Sequence, residues 1–215
     1  MSIAKYGRFR NLKTALQGTW RVAPASLYKQ PGLTAAQRDD ELSKSDLLSP
    51  TATISVPSAG VRNVVPLGRI KRTMEIRRAY YLSSLTYCVD DSEPKFAEFG
   101  DARLLISNPQ IFGQRVCAAA QAVHPSWLAF FAPVFYYDPD AGHPEFLLSD
   151  PPEMRDTLPW RLKEVKYAWQ REWRFIWLPD TELTGKLPPI ELAIGAISDI
   201  AVLERLTAAL GSGCR

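Results

Sequence analysis

The segment of this sequence best suited to chemistry is Gln170-Arg171-Glu172-Trp173-Arg174. Side chains alternate between the two faces of a β-strand, and a strand is predicted over Trp169–Leu178. One face would hold three aromatic residues and lie in the core: Trp173, Phe175 and Trp177. The other would align an amide, a carboxylate and a guanidinium: Gln170, Glu172 and Arg174. Such a rigid platform suits a catalytic carboxylate, because loose positioning lowers the rate. The alternative is an ion pair of little energetic value, facing solvent or a neighbouring strand.

A second segment places hydroxyl groups inside a strand that otherwise resembles core. The aromatic and β-branched content of Tyr80–Val89 predicts this strand. Ser83 falls on the same face as Tyr81, Leu85 and Tyr87, where an apolar residue would be expected. This serine is therefore either a functional hydroxyl or a buried side chain with its own hydrogen-bond partner, or it marks a bulge.

Two arginines, Arg8 and Arg10, lie where a predicted strand gives way to a predicted helix. The strand covers Tyr6–Phe9, and the helix begins at Asn11 and ends at Gly18. Guanidinium groups beside the start of a helix bind phosphate well. The alternative is a pair of solvated surface residues.

The order of these segments resembles the ADP-ribosyltransferase superfamily. That superfamily carries an arginine, a Ser-x-Ser motif and a Gln/Glu-x-Glu motif, in this order, on a split antiparallel sheet. Here Arg8 or Arg10 would match the arginine, Ser83-Ser84 the serine motif and Gln170-Arg171-Glu172 the last motif. The serine motif departs from the usual Ser-Thr-Ser order, since it continues as Leu85-Thr86.

The resemblance implies NAD⁺ as the substrate and an enzyme of the toxin, effector or phage-defence type. Arg8 or Arg10 would hold the pyrophosphate, and Tyr81 or Tyr87 would stack on nicotinamide. Glu172 would bind the ribose 2′-hydroxyl and stabilise the positive charge that develops as nicotinamide leaves. Gln170 would orient an acceptor, which could be protein, nucleic acid or water. No metal is implied.

The chain also resembles an uncharacterised bacterial family that ends in a Trp-x-x-Glu-x-Glu-Trp-Arg type motif. The segments that carry this likeness are Phe96–Asp101 and Tyr167–Arg174. It extends over most of the chain but implies no activity.

The predicted elements mix strands and helices without regular βαβ alternation, which favours an α+β fold with a largely antiparallel sheet and peripheral helices. We expect a single domain over residues 1–215, with a loop-rich insertion at about 48–68 that contains at most one strand, Ala52–Val56. Further strands are predicted at Thr19–Ala23, Asp101–Ser107, Val134–Tyr137 and Ile190–Ile194. Helices are predicted at Thr34–Lys44, Arg69–Arg78, Asn108–His124 and Ser198–Gly211.

Composition narrows the classes of protein to consider. The 215 residues carry a net charge of +3, too small to require a nucleic-acid or membrane partner. No secretory signal or apolar run long enough to cross a bilayer is visible, so a cytoplasmic protein is expected. Delivery into another cell by a dedicated machine would leave no recognisable mark. The widely spaced cysteines Cys88, Cys117 and Cys214 predict neither a zinc site nor a disulfide framework.

Two rival functions remain. A metal-dependent nuclease or phosphatase needs converging carboxylates, whereas Asp39, Asp40 and Glu41 would fan around a helix, and His124 and His143 are far apart. The second rival is a non-catalytic interaction module, in which the basic segment Arg62–Arg78 binds nucleic acid or an acidic partner.

Overall fold

The computed structural model describes residues 2–34, 41–47, 54–56, 60–65, 68, 70–76, 78–87, 94–141, 158–181 and 187–206. Its strands are β1 Ile3–Gly7, β2 Thr19–Pro24, β3 Ser43–Leu47, β4 Ile54–Val56, β5 Val61–Val64, β6 Lys71–Glu75, β7 Tyr81–Tyr87, β8 Ala102–Ile106, β9 Leu128–Pro133, β10 Phe135–Tyr137, β11 Leu162–Glu164, β12 Glu172–Leu178, β13 Ile190–Ala193 and β14 Ala201–Arg205. Its α-helices are α1 Phe9–Leu16 and α2 Pro109–Val123.

Eight of these strands form one antiparallel sheet, which confirms the predicted α+β class. The order β13-β2-β7-β1-β8-β14 describes most of it, while β12 pairs with β7 and carries β9 on its far side. The remaining strands form two-stranded ladders: β3 with β6, β4 with β5, and β10 with β11. The first two of these ladders are antiparallel, whereas β10 and β11 pair in parallel.

The sheet divides at β7. One edge of β7 pairs with β12 from Tyr81 to Thr86. The other edge is shared, because β2 pairs only with residues 81–82 and β1 only with residues 86–87. The two strands that separate there, β1 and β2, are joined by α1. A gap beside the middle of β7 is the result, and the candidate site lies next to it.

The main core packs one face of this sheet against α2. Asn108 caps the helix by accepting a hydrogen bond from the Ile111 N–H, with Pro109 in the first turn, as the sequence predicts. Its buried face contributes Phe112, Val116 and Ala120. From β12, Phe175 and Trp177 are fully buried in the same core. Each such side chain stabilises the fold by about 1.5 to 3 kcal/mol through removal of apolar surface from water.

Gly18, which follows α1, is required by both conformation and space. Its φ of +107° lies in the region that favours glycine, and an added Cβ would lie 2.4 Å from the Gly195 carbonyl carbon. The predicted end of the helix at Gly18 therefore coincides with a close approach between two backbone segments.

Three predicted helices are wrong where the structure describes them. Lys71–Glu75, within the predicted helix 69–78, is strand β6 and pairs with β3. Ser43–Leu47, which includes Lys44 at the end of the predicted helix 34–44, is strand β3; residues 35–40 lie outside the described residues. Ala201–Arg205 is strand β14 rather than the helix predicted after Ser198. In each case pairing with a partner strand outweighs the weak local helix propensity.

Other boundaries also differ from prediction. The insertion at 48–68 contains two paired strands in its described part, β4 and β5, rather than at most one. The strand predicted over Trp169–Leu178 begins only at Glu172, because Val165–Gln170 is a 3-10 helix. Strand β9 was not predicted. Most of the predicted loop Asp138–Pro159 lies outside the described residues. None of the helices in the described part is long and apolar enough to span a bilayer.

Candidate functional site

Both faces of strand β12 are covered by protein. Phe175 and Trp177 point into the α2 core, while Ile176 and Leu178 pack in a second core with Tyr80 and Leu82. Glu172 and Arg174 lie on this second side of the sheet, yet they are only 3% and 0% exposed. The alternative of an ion pair facing solvent is therefore wrong. Their charges are buried and must be satisfied by other protein groups.

Arg174 links two buried carboxylates. Its Nη2 and Nη1 donate to both carboxylate oxygens of Glu41, at 2.6 and 2.8 Å, in a bidentate pair. Its Nε donates to Glu172 Oε1 at 2.6 Å, and Nη1 also donates to the Trp160 carbonyl at 3.0 Å. The planar guanidinium suits this arrangement, because its donors form a fixed fork.

Lys163 from β11 completes the group. Its Nζ donates to Glu172 Oε2 at 2.7 Å and lies 4.0 Å from Glu41 Oε1. It also donates to Gln170 Oε1 at 2.9 Å, which fixes the orientation of that amide. We refer to Glu41, Lys163, Glu172 and Arg174 as the buried charge cluster. All four side chains are at most 6% exposed.

The cluster keeps both carboxylates ionised. Burial by itself would raise the pKa of Glu172, but Arg174 and Lys163 outweigh it and hold that pKa well below its usual range. Burial acts in the same way on Glu41, whose pKa is nevertheless lowered to about 2 by Arg174, Lys44 and Lys163. Paired charges thus outweigh desolvation at both positions, and Glu172 is an anion at every physiological pH.

A cavity of about 310 Å³ lies beside the cluster. Its polar lining consists of Lys5, Tyr6, Tyr28, Glu41, Ser84, Thr86, Lys163, Gln170 and Glu172. Its apolar lining comes mainly from Leu27, Leu33, Leu85 and Phe99. The volume falls at the small end of ligand pockets, and the mixture of an apolar wall with a few converging polar groups is typical of a binding site.

The serine that reaches the cluster is Ser84. In the ladder between β7 and β12, Ser84 is directly opposite Arg174, so its side chain shares the face of Glu172. Ser84 Oγ donates to Glu172 Oε1 at 2.5 Å. Ser83 points to the other face and is 2% exposed. The two serines of the predicted motif thus have different surroundings.

Lys5 occupies the gap where the sheet divides. Its Nζ donates to the Ser84 carbonyl at 2.6 Å and contacts Ser83 Oγ at 3.4 Å. Both acceptors are neutral, and Lys5 forms no ion pair with any residue that the structure describes. Burial lowers the pKa of Lys5 to about 8, although the negative charge of Glu172 acts in the opposite direction. A partly desolvated amine therefore faces the cavity.

The lowered pKa of Lys5 predicts that the protein becomes more stable as the pH rises above 8. Its pKa is about 8 in the folded protein and 10.5 in the unfolded chain, so the unfolded chain binds more protons between these values. The free energy of unfolding should therefore gain about 1 to 3 kcal/mol from this residue as the pH rises from 8 to 10.5. Urea unfolding of the wild type and of Lys5→Met across this range measures the effect as the difference between the two curves. Parallel curves would contradict it.

The structure brings together some of the predicted site residues and separates others. Gln170, Glu172 and Ser84 line one cavity, and Ser83 contacts Lys5 beside it. Tyr81 and Tyr87 are on the opposite face of β7. Tyr81 packs against Trp127 and Trp177 at 3% exposure, and Tyr87 is half-buried against the same core. The expectation that either tyrosine stacks on a ligand beside Glu172 does not fit this placement, because the sheet lies between them.

Arg8 and Arg10 are exposed and lie outside this cavity. They line a separate surface pocket with Phe9, Gly100, Asp101 and Arg205. Asp101 accepts a hydrogen bond from the Phe9 N–H at the start of α1 and pairs with Arg205 at 3.1 Å. The two pockets are near each other along the chain, since Tyr6 lines the first and Arg8 the second.

Sequence reasoning missed Glu41, Lys163 and Lys5. Glu41 was placed on a polar helix, although it lies just before β3 and 133 positions from its partner Arg174. Lys163 lies in a short strand that was not predicted. Alternation along β1 places Lys5 on the opposite face from Ala4 and Tyr6, which is a weak indication that it faces other protein groups. It is weak because lysines are far more often exposed than buried.

No metal site emerges from the described residues: no three His, Cys, Asp or Glu side chains among them are grouped to hold an ion. Comparison of the chain with models of known families, with curated proteins and with solved structures gives no match.

Proposed function

We propose that this protein is an ADP-ribosyltransferase-like enzyme that cleaves the nicotinamide–ribose bond of NAD⁺ and transfers ADP-ribose to an acceptor. One observation carries the proposal: Ser84, Gln170 and Glu172 line a single cavity, with Ser84 bonded to Glu172. These residues come from β7, from the 3-10 helix before β12 and from β12 itself. The convergence of these three side chains supports the proposal.

Glu172 has the charge and the capacity that this chemistry needs. As nicotinamide leaves with the electrons of the C–N bond, positive charge develops on the ribose, and an anion beside it lowers the barrier. Oε1 of Glu172 accepts from Ser84 and Arg174, whereas Oε2 accepts only from Lys163 among the described residues. A carboxylate oxygen accepts about two hydrogen bonds, so Oε2 retains a position for the ribose 2′-hydroxyl.

The surrounding groups hold the carboxylate in place. Lys163 and Arg174 fix Glu172 from two sides, so that little reorganisation is needed when charge develops. Gln170 is oriented by the same lysine and would position the acceptor, which adds to the ribose carbon and loses a proton. The acceptor is a protein, a nucleic acid or water.

The pyrophosphate of NAD⁺ would extend out of the cavity. A volume of about 310 Å³ suits the nicotinamide ribose rather than the whole dinucleotide. Arg8 is two residues beyond Tyr6, which corresponds to about 7 Å along a strand. Arg8 or Arg10 would therefore contact the phosphates from the neighbouring surface pocket.

The test is the release of nicotinamide from labelled NAD⁺, with and without cell lysate as a source of acceptor. Glu172→Gln should lower turnover by about 10² to 10³-fold, because the anion is lost. Ser84→Ala should lower it by about tenfold through loss of one hydrogen bond to the carboxylate. Glu191→Gln, on the exposed side of β13, is the matched control and should retain wild-type turnover.

Circular dichroism and urea unfolding of each variant separate loss of chemistry from loss of fold. Rates are compared per folded molecule, since Glu172 also contributes to the buried charge cluster. Unchanged NAD⁺ with the wild type under all acceptor conditions, or full turnover by folded Glu172→Gln, would overturn the proposal.

A non-catalytic interaction module is the second candidate. It is favoured by the pairing of both buried carboxylates, Glu41 and Glu172, with protein cations, as in purely structural charge groups. Its basic surface would be the segment 62–78, whose described part includes strand β6 with an exposed Lys71. Binding to oligonucleotides that weakens steeply with salt, in a protein without NAD⁺ turnover, would favour this function.

A further inference from the structure

We propose that Lys5 is a carbonyl-reactive amine, which forms a Schiff base with small anionic aldehydes or 2-oxo acids that enter the cavity. The reaction is independent of NAD⁺ chemistry, although it takes place in the same cavity. It rests on the contrast between two lysines that line that cavity, Lys5 and Lys163.

The two lysines differ in their partners. Lys163 Nζ lies 2.7 Å from Glu172 Oε2 and 4.0 Å from Glu41 Oε1, so two carboxylates hold it as an ammonium ion. Lys5 Nζ contacts only a carbonyl and a hydroxyl, and no described carboxylate pairs with it. A protonated amine is not nucleophilic, whereas a desolvated amine without a direct ion pair loses its proton more readily, even though the charge of Glu172 partly opposes this at Lys5. Lys5 is therefore the reactive member of the pair.

The charges around the cavity favour an anionic guest. Three cationic side chains besides Lys5, namely Lys44, Lys163 and Arg174, pair with only two carboxylates, Glu41 and Glu172. Burial, rather than a neighbouring cation, favours the neutral form of Lys5. The same excess of positive charge attracts a carboxylate or phosphate on the incoming molecule.

The pKa of Lys5 agrees with its lack of a direct ion pair. Burial lowers the pKa of Lys5 to about 8, against 10.5 for an ordinary lysine. At neutral pH this raises the fraction of neutral amine by about two orders of magnitude, and the lower basicity offsets only part of the gain. A rate advantage of about tenfold or more over an exposed lysine follows.

The covalent step needs no oxidant or reductant. The lone pair of Nζ attacks the carbonyl carbon, and a proton moves from the nitrogen to the carbonyl oxygen to give a carbinolamine. The hydroxyl group then takes up a proton from solvent and leaves as water with the electrons of the C–O bond, while the nitrogen lone pair forms the C=N bond of a protonated Schiff base. The reaction is reversible, so the adduct must be reduced by an added hydride donor before it can be located.

Glyoxylate and glycolaldehyde provide a matched pair of probes. They are of similar size, but only glyoxylate is an anion. The full-length protein is incubated with each probe and cyanoborohydride, and peptide mass spectrometry locates the carboxymethyl or hydroxyethyl groups. Lys5 should be carboxymethylated about tenfold or more faster than Lys13, an exposed lysine of α1, and faster than Lys163. Glyoxylate should also modify Lys5 faster than glycolaldehyde does.

Lys5→Arg keeps a positive charge but removes the amine, and should lose the preferred adduct, whereas Lys13→Arg should retain it. Because the lysines are compared within one wild-type molecule, the test stands even if Lys5→Arg fails to fold. The proposal is overturned if Lys5 reacts no faster than Lys13, if Lys163 reacts first, or if the two probes modify Lys5 equally. A protein that shows the adduct but no NAD⁺ turnover would sink the proposed transferase activity and leave this inference intact.

Discussion

Arg174→Met is expected to lower the free energy of unfolding by about 3 to 5 kcal/mol, because it leaves two buried carboxylates without their shared cation. Arg174 is 0% exposed and makes three hydrogen bonds to Glu41 and Glu172. Methionine fills similar volume but supplies no charge. Since domains of this size are stable by only about 5 to 15 kcal/mol, a large share of the stability is lost. Urea unfolding at neutral pH measures the change.

Two further variants make this result specific. Arg115→Met removes an ion pair with Asp199 whose partners are 31% and 54% exposed, and should cost less than about 1 kcal/mol. The double variant Glu41→Gln, Arg174→Met removes one of the stranded charges and should be more stable than Arg174→Met alone. Equal losses for Arg115→Met and Arg174→Met would show that the buried charge cluster contributes no more than a surface pair.

Acidification is expected to destabilise the protein through the same cluster. The pKa of Glu41 falls from 4.5 in the unfolded chain to about 2 in the folded protein, and that of Glu172 is lowered as well. A carboxyl group with a lowered folded pKa contributes stability above its unfolded pKa and loses it as the pH falls towards the folded value. As the pH falls from about 5 to 2, protonation of Glu41 alone should therefore lower the free energy of unfolding by about 3 kcal/mol.

Urea midpoints at pH 7, 4 and 3 measure this loss. Glu41→Gln is the informative comparison, because it should be less stable than the wild type at pH 7 but lose less on acidification. The exposed carboxylates Asp101 and Asp199 are the same in both proteins, so their contributions cancel in the difference. An identical acid response in the wild type and Glu41→Gln would contradict the role of Glu41.

Sequence patterns predict correctly those structural features that depend on a single short segment of the chain. The cap at Asn108 depends on residues within a few positions of each other and is confirmed. Of the predicted buried face of α2, Phe112, Val116 and Ala120 are buried, whereas Val123 at the end of the helix is exposed. The aromatic residues of β12 likewise reveal their face by alternation, since Phe175 and Trp177 lie in the core. The α+β class follows from the order of such elements, because it does not depend on their exact boundaries.

The wrong helices share a physical cause. Segments such as Lys71–Glu75 and Ala201–Arg205 have no strong local preference, and each becomes a strand through hydrogen bonds to another strand. For β14 that partner is β8, about a hundred positions earlier, as in the ion pair of Arg103 with Glu204. Pairing with a distant strand cannot be predicted from the residues of the segment itself.

Alternation along β12 was sufficient to predict that Glu172 and Arg174 share one face and that the aromatic residues face the core. The surroundings of Glu172 depend on the tertiary fold. Ser84 rather than Ser83 reaches its carboxylate, Lys5 rather than Arg8 or Arg10 lines the cavity, and Glu41 and Lys163 join the buried charge cluster. The reason is electrostatic: the properties of a buried charge are set by groups within a few ångströms, whatever their distance along the chain.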